Sequence, residues 1–226
     1  MPAFLADKAA LRINTTSAFF TPTLTASNAV YAIFIGTNDL GNDAFLTNSQ
    51  VPGKVLSDYT SCVFSAFDTI YASGGRNFVL MNNIPLHLTP QYANDTLDGA
   101  NATQYYPEKG SANHTEIAEK MHEAASTTNT VFQYETPYEV LVGKRYPGAN
   151  FAVFDTYSLF SDVYHNPAAY LNGSAPLNVT GFEHHCNTTG ADCAYVYDNT
   201  SPDSFMWYDE LHLRYVRSLP KRKTSS

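Results

Sequence analysis

Apolar positions along the chain alternate between short continuous runs and helical stripes. Val30-Tyr31-Ala32-Ile33-Phe34-Ile35 is unbroken and rich in β-branched and aromatic residues, which predicts a buried strand of a parallel sheet. Pro52-Gly53 then opens a helix whose Val55, Tyr59, Cys62, Val63, Phe67 and Ile70 form one apolar face, stopped by Gly74-Gly75. Asn77-Phe78-Val79-Leu80-Met81 predicts a second strand and Phe151-Ala152-Val153-Phe154 a third, ending at Asp155. Between them the polar stretch from Gln91 to Asn113 reads as a surface excursion, followed by a helix from about Thr115 that Pro137 kinks or breaks. This βα alternation predicts an α/β fold on a parallel sheet. No linker or repeat divides the 226 residues, and no apolar stretch approaches the ~18 residues of a membrane span.

Two short motifs carry chemistry. Gly36-Thr37-Asn38-Asp39 follows the first strand, so Asn38 sits just past its carboxyl end, where open α/β sheets bind ligands. In Asp209-Glu210-Leu211-His212 an acid precedes a histidine by three residues, a spacing that lets a carboxylate orient an imidazole. Taken singly, Asn38-Asp39 equally fits an Asx turn, and Asp209 with His212 a surface pair. No Gly-Asp-Ser and no Gly-x-Ser-x-Gly elbow supplies a nucleophile, and Asn172-Gly173-Ser174 is better explained as a glycosylation acceptor.

In this order the motifs resemble the third and fifth conserved blocks of the SGNH/GDSL hydrolases. Pro2-Ala3-Phe4-Leu5, Ala32 through Leu40, Pro85-Leu86-His87-Leu88-Thr89-Pro90 and Trp207 through His212 further resemble the secreted acetylesterases of carbohydrate esterase family 16. The resemblance implies a flavodoxin-like three-layer α/β fold with strand order 2-1-3-4-5. Residues 1–213 would be a partial SGNH domain holding strands three to five, its first strands absent. It gives His212 the role of general base and then acid, Asp209 that of fixing its tautomer, Asn38 that of oxyanion donor and Gly36 a place in the oxyanion loop. The nucleophile and the other oxyanion donors would lie before Met1. The implied substrate is an acetylated oligosaccharide or another small ester, handled without metal or cofactor by a protein that is monomeric when complete. Losing the nucleophile costs roughly six orders of magnitude in turnover, about 8 kcal/mol, so the chain as given is expected to be inactive. With the central first strand gone, Val30–Ile35 would form an exposed apolar edge, and the isolated chain is expected to fold poorly. The alternative reading is a non-catalytic remnant or a weak glycan-binding protein.

Composition bears on where such a protein works. The chain has eight N-x-S/T acceptors, at Asn14, Asn94, Asn101, Asn113, Asn172, Asn178, Asn187 and Asn199. About three would arise by chance, so the excess favours a glycoprotein surface and an extracellular complete protein. Met1–Arg12 nevertheless lacks the features of a secretory signal. Cys186 and Cys193 enclose a loop that a disulfide would close easily in an oxidising compartment. Zinc on His184-His185-Cys186 with Cys193 ranks below it, since no C-x-x-C or H-x3-H spacing occurs. Cys62 reads as a buried small hydrophobe and His87 as a satisfied structural histidine. Trp207 and Tyr208 either wall the sugar or acyl pocket or pack in the core. The net charge of −8 argues against a nucleic-acid partner. Five of the 13 basic residues, Arg214, Arg217, Lys221, Arg222 and Lys223, crowd the last thirteen positions, so residues 214–226 read as an atypical basic tail.

Overall fold

The computed structural model describes residues 2–9, 20, 24–197 and 200–214. Asn14, Asn199 and the basic residues Arg217, Lys221, Arg222 and Lys223 lie outside them. Helix α1 (Pro2–Ala9) precedes a βα core of β1 (Tyr31–Phe34), the single turn α2 (Thr37–Leu40), α3 (Leu56–Ala72), β2 (Asn77–Met81), α4 (His114–Pro137), β3 (Asn150–Phe154) and α5 (Thr156–His165). Four short strands follow: β4 (Asn178–Phe182), β5 (His184–Cys186), β6 (Cys193–Tyr195) and β7 (Phe205–Trp207). The fold is mixed α/β. β1, β2 and β3 form a parallel sheet in chain order, with Ile33 beside Leu80 and Leu80 beside Val153. β4 pairs in parallel with β7, and β5 with β6 forms an antiparallel hairpin.

One face of the main sheet is packed and the other is open. Tyr31, Ile33, Phe78 and Leu80 are buried with Tyr59, Val63, Phe64, Phe67 and Ile70 of α3. Phe67 meets Phe78 edge-on at 5.5 Å and Phe151 at 4.8 Å, and Tyr146 donates to the Phe64 carbonyl at 3.1 Å. On the opposite face Ala32, Phe34, Ala152 and Phe154 are exposed, with Val79 and Met81 between them only partly covered. Among the described strands β1 lies at the edge of the sheet, and Val30 just before it is 67% exposed.

Three expectations are corrected. Cys62 is exposed rather than buried, and Val55 is exposed too. At about 100° per residue the buried stripe of α3 extends to Thr60 and Phe64, which turns positions 55 and 62 away from the sheet. The Gln91–Asn113 stretch lacks strands and long helices but is no mere surface excursion. Gln91, Tyr92, Thr103, Tyr106 and Lys109 are buried in it, and the Lys109 ammonium donates to the Ala93 carbonyl at 2.9 Å and the Pro90 carbonyl at 3.5 Å. His87 is not satisfied: its Nδ1 is buried without a partner, and its ring lies 4.4 Å from that of His122. Of the two readings open for Trp207, core packing holds, since it is fully buried in a second cluster with Leu40, Met121 and Met206.

Pro137 ends α4 rather than kinking it. Proline has no N–H to continue the ladder, and the backbone passes directly into a π-helical turn over Tyr138–Val142. No helix among the described residues is long and apolar enough to cross a membrane.

Candidate active site

The Gly36 turn is built by close approach. Gly36 has φ of 125°, a conformation that favours glycine, and a Cβ there would lie 2.1 Å from Asn83 Oδ1 and 2.2 Å from the Tyr59 hydroxyl. That hydroxyl donates to the Ile35 carbonyl at 2.9 Å, while burial pushes the Tyr59 phenol well above its ordinary pKa and keeps it a neutral donor. Asn83 is tied in turn to Asn129, whose Oδ1 accepts from the Asn83 N–H at 2.8 Å and whose amide donates to the Asn83 carbonyl at 2.9 Å. Asn38 projects from this support as an exposed side chain with no hydrogen bond to any described residue.

Asp209 and His212 occupy a tight loop. Trp207 and Leu213 form an antiparallel bridge, and the Tyr208 N–H donates to the His212 carbonyl at 2.8 Å, which closes the loop. Asp209 is 4% exposed. Its Oδ1 accepts from the backbone N–H groups of Leu211 at 2.9 Å and His212 at 2.6 Å. His212 Nδ1 lies 2.9 Å from both carboxylate oxygens. An ionised carboxylate only accepts, so Nδ1–H is the donor in this pair. The imidazole is 59% exposed, and no described residue bonds Nε2.

The two motifs meet around one cavity of about 410 Å³ lined by Gly36, Asn38, Asp39, Ile84, Leu211 and His212 among others. Across 170 residues of sequence, the chain thus brings an unengaged amide and a carboxylate-oriented imidazole to one side of the sheet, at the carboxyl end of β1. Among the described residues no serine or cysteine lines that cavity. Tyr105 meets the His212 ring edge-on at 5.6 Å, and Asn42 holds it by donating to the Tyr105 carbonyl at 2.6 Å. Sequence reasoning missed Tyr105 because it lies in the stretch read as surface, and missed Tyr59 because it reads as one more core aromatic. Asn83 left a weak signal as the second of two asparagines that follow β2.

Other candidates lie apart. Glu210 is buried, neither carboxylate oxygen has a partner, and desolvation holds its pKa above the usual range. Tyr208 does not line the cavity; its hydroxyl lies 3.1 Å from that of Tyr195, and this hydrogen bond raises its pKa to about 12. Cys186 and Cys193 are joined by a disulfide across the β5–β6 hairpin. His184 lies beside them, with all three ligand atoms within 4.8 Å of one another, but sulfurs paired with each other are not thiolate ligands. Of the described acceptor asparagines, Asn101, Asn113 and Asn172 are exposed, Asn178 is half-buried in β4, and the Asn187 amide donates to Asp192 at 2.9 Å.

Comparison with known proteins adds the following. No protein-family model matches the chain. It is similar to an acetylesterase of Hypocrea jecorina, 42% identical over 189 residues, which are 84% of this chain and 53% of that protein. It is also similar to an acetylesterase of Thermothelomyces thermophilus, 34% identical over 65 residues, 29% of this chain and 20% of that protein. The chain thus spans about half the length, or less, of the curated relatives it matches. These likenesses support kinship with acetylesterases.

Proposed function

We propose that the chain carries the base and oxyanion half of an SGNH-type serine esterase acting on acetylated carbohydrate or another small acetyl ester. The observation behind this reading is an imidazole fixed by a buried carboxylate, its Nε2 free beside a cavity that also holds an unengaged asparagine amide. In acyl transfer Nε2 would take the proton of an attacking hydroxyl and return it to the leaving alcohol, while Asp209 holds the tautomer and stabilises the imidazolium. The Asn38 amide would donate to the oxygen that becomes negative in the tetrahedral intermediate. A further parallel strand on the free edge of β1, about 4.8 Å away, would end beside Gly36 and deliver a nucleophile to this cavity. None of the 226 residues forms the Gly-Asp-Ser that such chemistry uses, so the chain by itself is inactive in this reading. An extracellular glycoprotein fits the sequon excess and the disulfide.

Sequencing the complete transcript and assaying its product tests the proposal. The expected result is an in-frame Gly-Asp-Ser upstream and a product that hydrolyses p-nitrophenyl acetate. His212→Ala should then lower kcat by roughly 10⁶-fold and Asp209→Asn by roughly 10⁴-fold. Phosphonate-sensitive hydrolysis by the 226 residues alone would refute the inactive half of the reading.

A second reading, a weak glycan-binding protein, draws on the exposed ring of Tyr195, which stacks on Tyr197 at 6.0 Å beside the active loop. Titration with xylo-oligosaccharides followed by tyrosine fluorescence checks it, and the absence of any response in a folded sample removes it.

A further inference from the structure

We infer that Arg214 is a positioning residue for His212, acting through a buried clamp with Glu183 that fixes both ends of the loop carrying Asp209 and His212. Composition assigns Arg214 to a basic tail, yet its backbone belongs to the fold: its N–H donates to the Met206 carbonyl at 3.0 Å, one pair beyond the Trp207–Leu213 bridge. Its guanidinium donates to both oxygens of Glu183, a residue 2% exposed at the end of β4, and lies 3.4 Å from the Asp203 carboxylate just ahead of β7.

Three segments converge on this one side chain. Glu183 follows the strand that pairs with β7, and the next residue, His184, donates its N–H to the Tyr208 carbonyl at 2.7 Å inside the loop. Asp203 precedes β7, and Arg214 follows Leu213 of the bridge. The catalytic loop is only five residues long between Trp207 and Leu213, so a shift of Leu213 relative to Trp207 moves the His212 backbone directly. Asp209 grips that backbone and the imidazole with the same carboxylate. A loosened Leu213–Arg214 segment therefore releases the Nδ1 bond as well. Arginine suits the task because its planar fork reaches two carboxylates at once, which a lysine cannot do with the same geometry.

The catalytic meaning of the clamp rests on the esterase reading, but the positioning is testable without turnover. In the full chain, with Val30→Lys to blunt the open β1 edge, NMR detects the His212 Nδ1 proton as a downfield resonance whose exchange reports the Asp209 bond. Arg214→Met alone leaves Glu183 buried and unpaired and endangers folding, so the deciding variant is Glu183→Leu with Arg214→Met, which replaces the pair by apolar groups. The expected result is a dispersed spectrum unchanged elsewhere, with the Nδ1 resonance lost or exchanging at least about tenfold faster. Arg214→Lys should fall between. A resonance that persists in the double variant with its original exchange rate would overturn the clamp and leave the esterase reading standing. A completed protein without esterase activity would end that reading and leave the clamp intact.

Discussion

Gly36 concentrates in one residue the constraint that aims Asn38. Its positive φ is costly for any L side chain, and a methyl group would enter the space of Asn83 and Tyr59. Gly36→Ala should therefore cost about 2 to 3 kcal/mol, read by urea unfolding of the chain kept monomeric by Val30→Lys; a loss under about 0.5 kcal/mol would show that the turn relaxes freely. Lys109 offers a pH-dependent counterpart. It is fully buried, and desolvation lowers its pKa from 10.5 to about 8. Between those values the unfolded chain holds a proton that the folded one has released, so stability contributed by this residue rises with pH across that window. Below about pH 8 both states are protonated, and the burial cost stays constant. Above pH 10, Tyr59 and Tyr146, whose burial raises their pKa, reverse the trend. Lys109→Met should flatten the rise between pH 8 and 10, and an identical slope in the variant would show that the ammonium is not the cause.

Among the elements, α4 carries the clearest local signal and the clearest conflict. Asn113 caps it, its side chain accepting from the N–H groups of Thr115 at 3.1 Å and Glu116 at 3.2 Å. The same asparagine heads an N-x-T acceptor, and a glycan on its amide nitrogen leaves the capping oxygen in place. Asn113→Ala should destabilise the chain by about 1 kcal/mol, whereas Asn113→Asp, which keeps the oxygen and forbids the glycan, should leave stability nearly unchanged; equal losses in urea unfolding would deny the cap. Strands β1, β2 and β3 and helices α3 and α4 were legible because each has a period of its own and ends in or is followed by its own Gly, Pro, Asn or Asp. The Gln91–Asn113 segment was not, because its order comes from distant partners: the Gln91 N–H donates to the Glu210 carbonyl at 2.7 Å and the Tyr92 hydroxyl to Asn42 at 3.0 Å. Cys62 shows the limit of a stripe read without knowing where its centre lies. In the candidate site, the three-residue spacing anticipated the contact of Asp209 with His212, whereas Tyr59, Asn83 and Tyr105 are placed by folded contacts that leave no motif. Arg214 was misleading for the same reason, since its partner Glu183 lies 31 residues away.

At the scale of the whole molecule the open sheet governs behaviour. Parallel sheets are ordinarily covered on both faces, yet Phe34 and Phe154 remain nearly half exposed beside Met81, and among the described residues no strand pairs with the free edge of β1. Such a surface joins whatever strand or apolar face it meets, including a second copy of itself. The chain should therefore associate with rising concentration in analytical ultracentrifugation, and Val30→Lys combined with Phe154→Lys should return it toward monomer without changing its far-UV circular dichroism. A wild-type chain that stays monomeric at micromolar concentration and melts cooperatively would show that three strands suffice. The same edge leads to the cavity, because a parallel strand laid along β1 would end beside Gly36 and Asn38. Under the proposed esterase reading, association and inactivity share a physical origin, and a longer protein that supplied this strand with a serine should lose the first as it gains acetyl-ester hydrolysis. If it hydrolysed the ester while still associating through Val30, the open edge and the missing nucleophile would be separate matters, and the sheet would need its cover from another source.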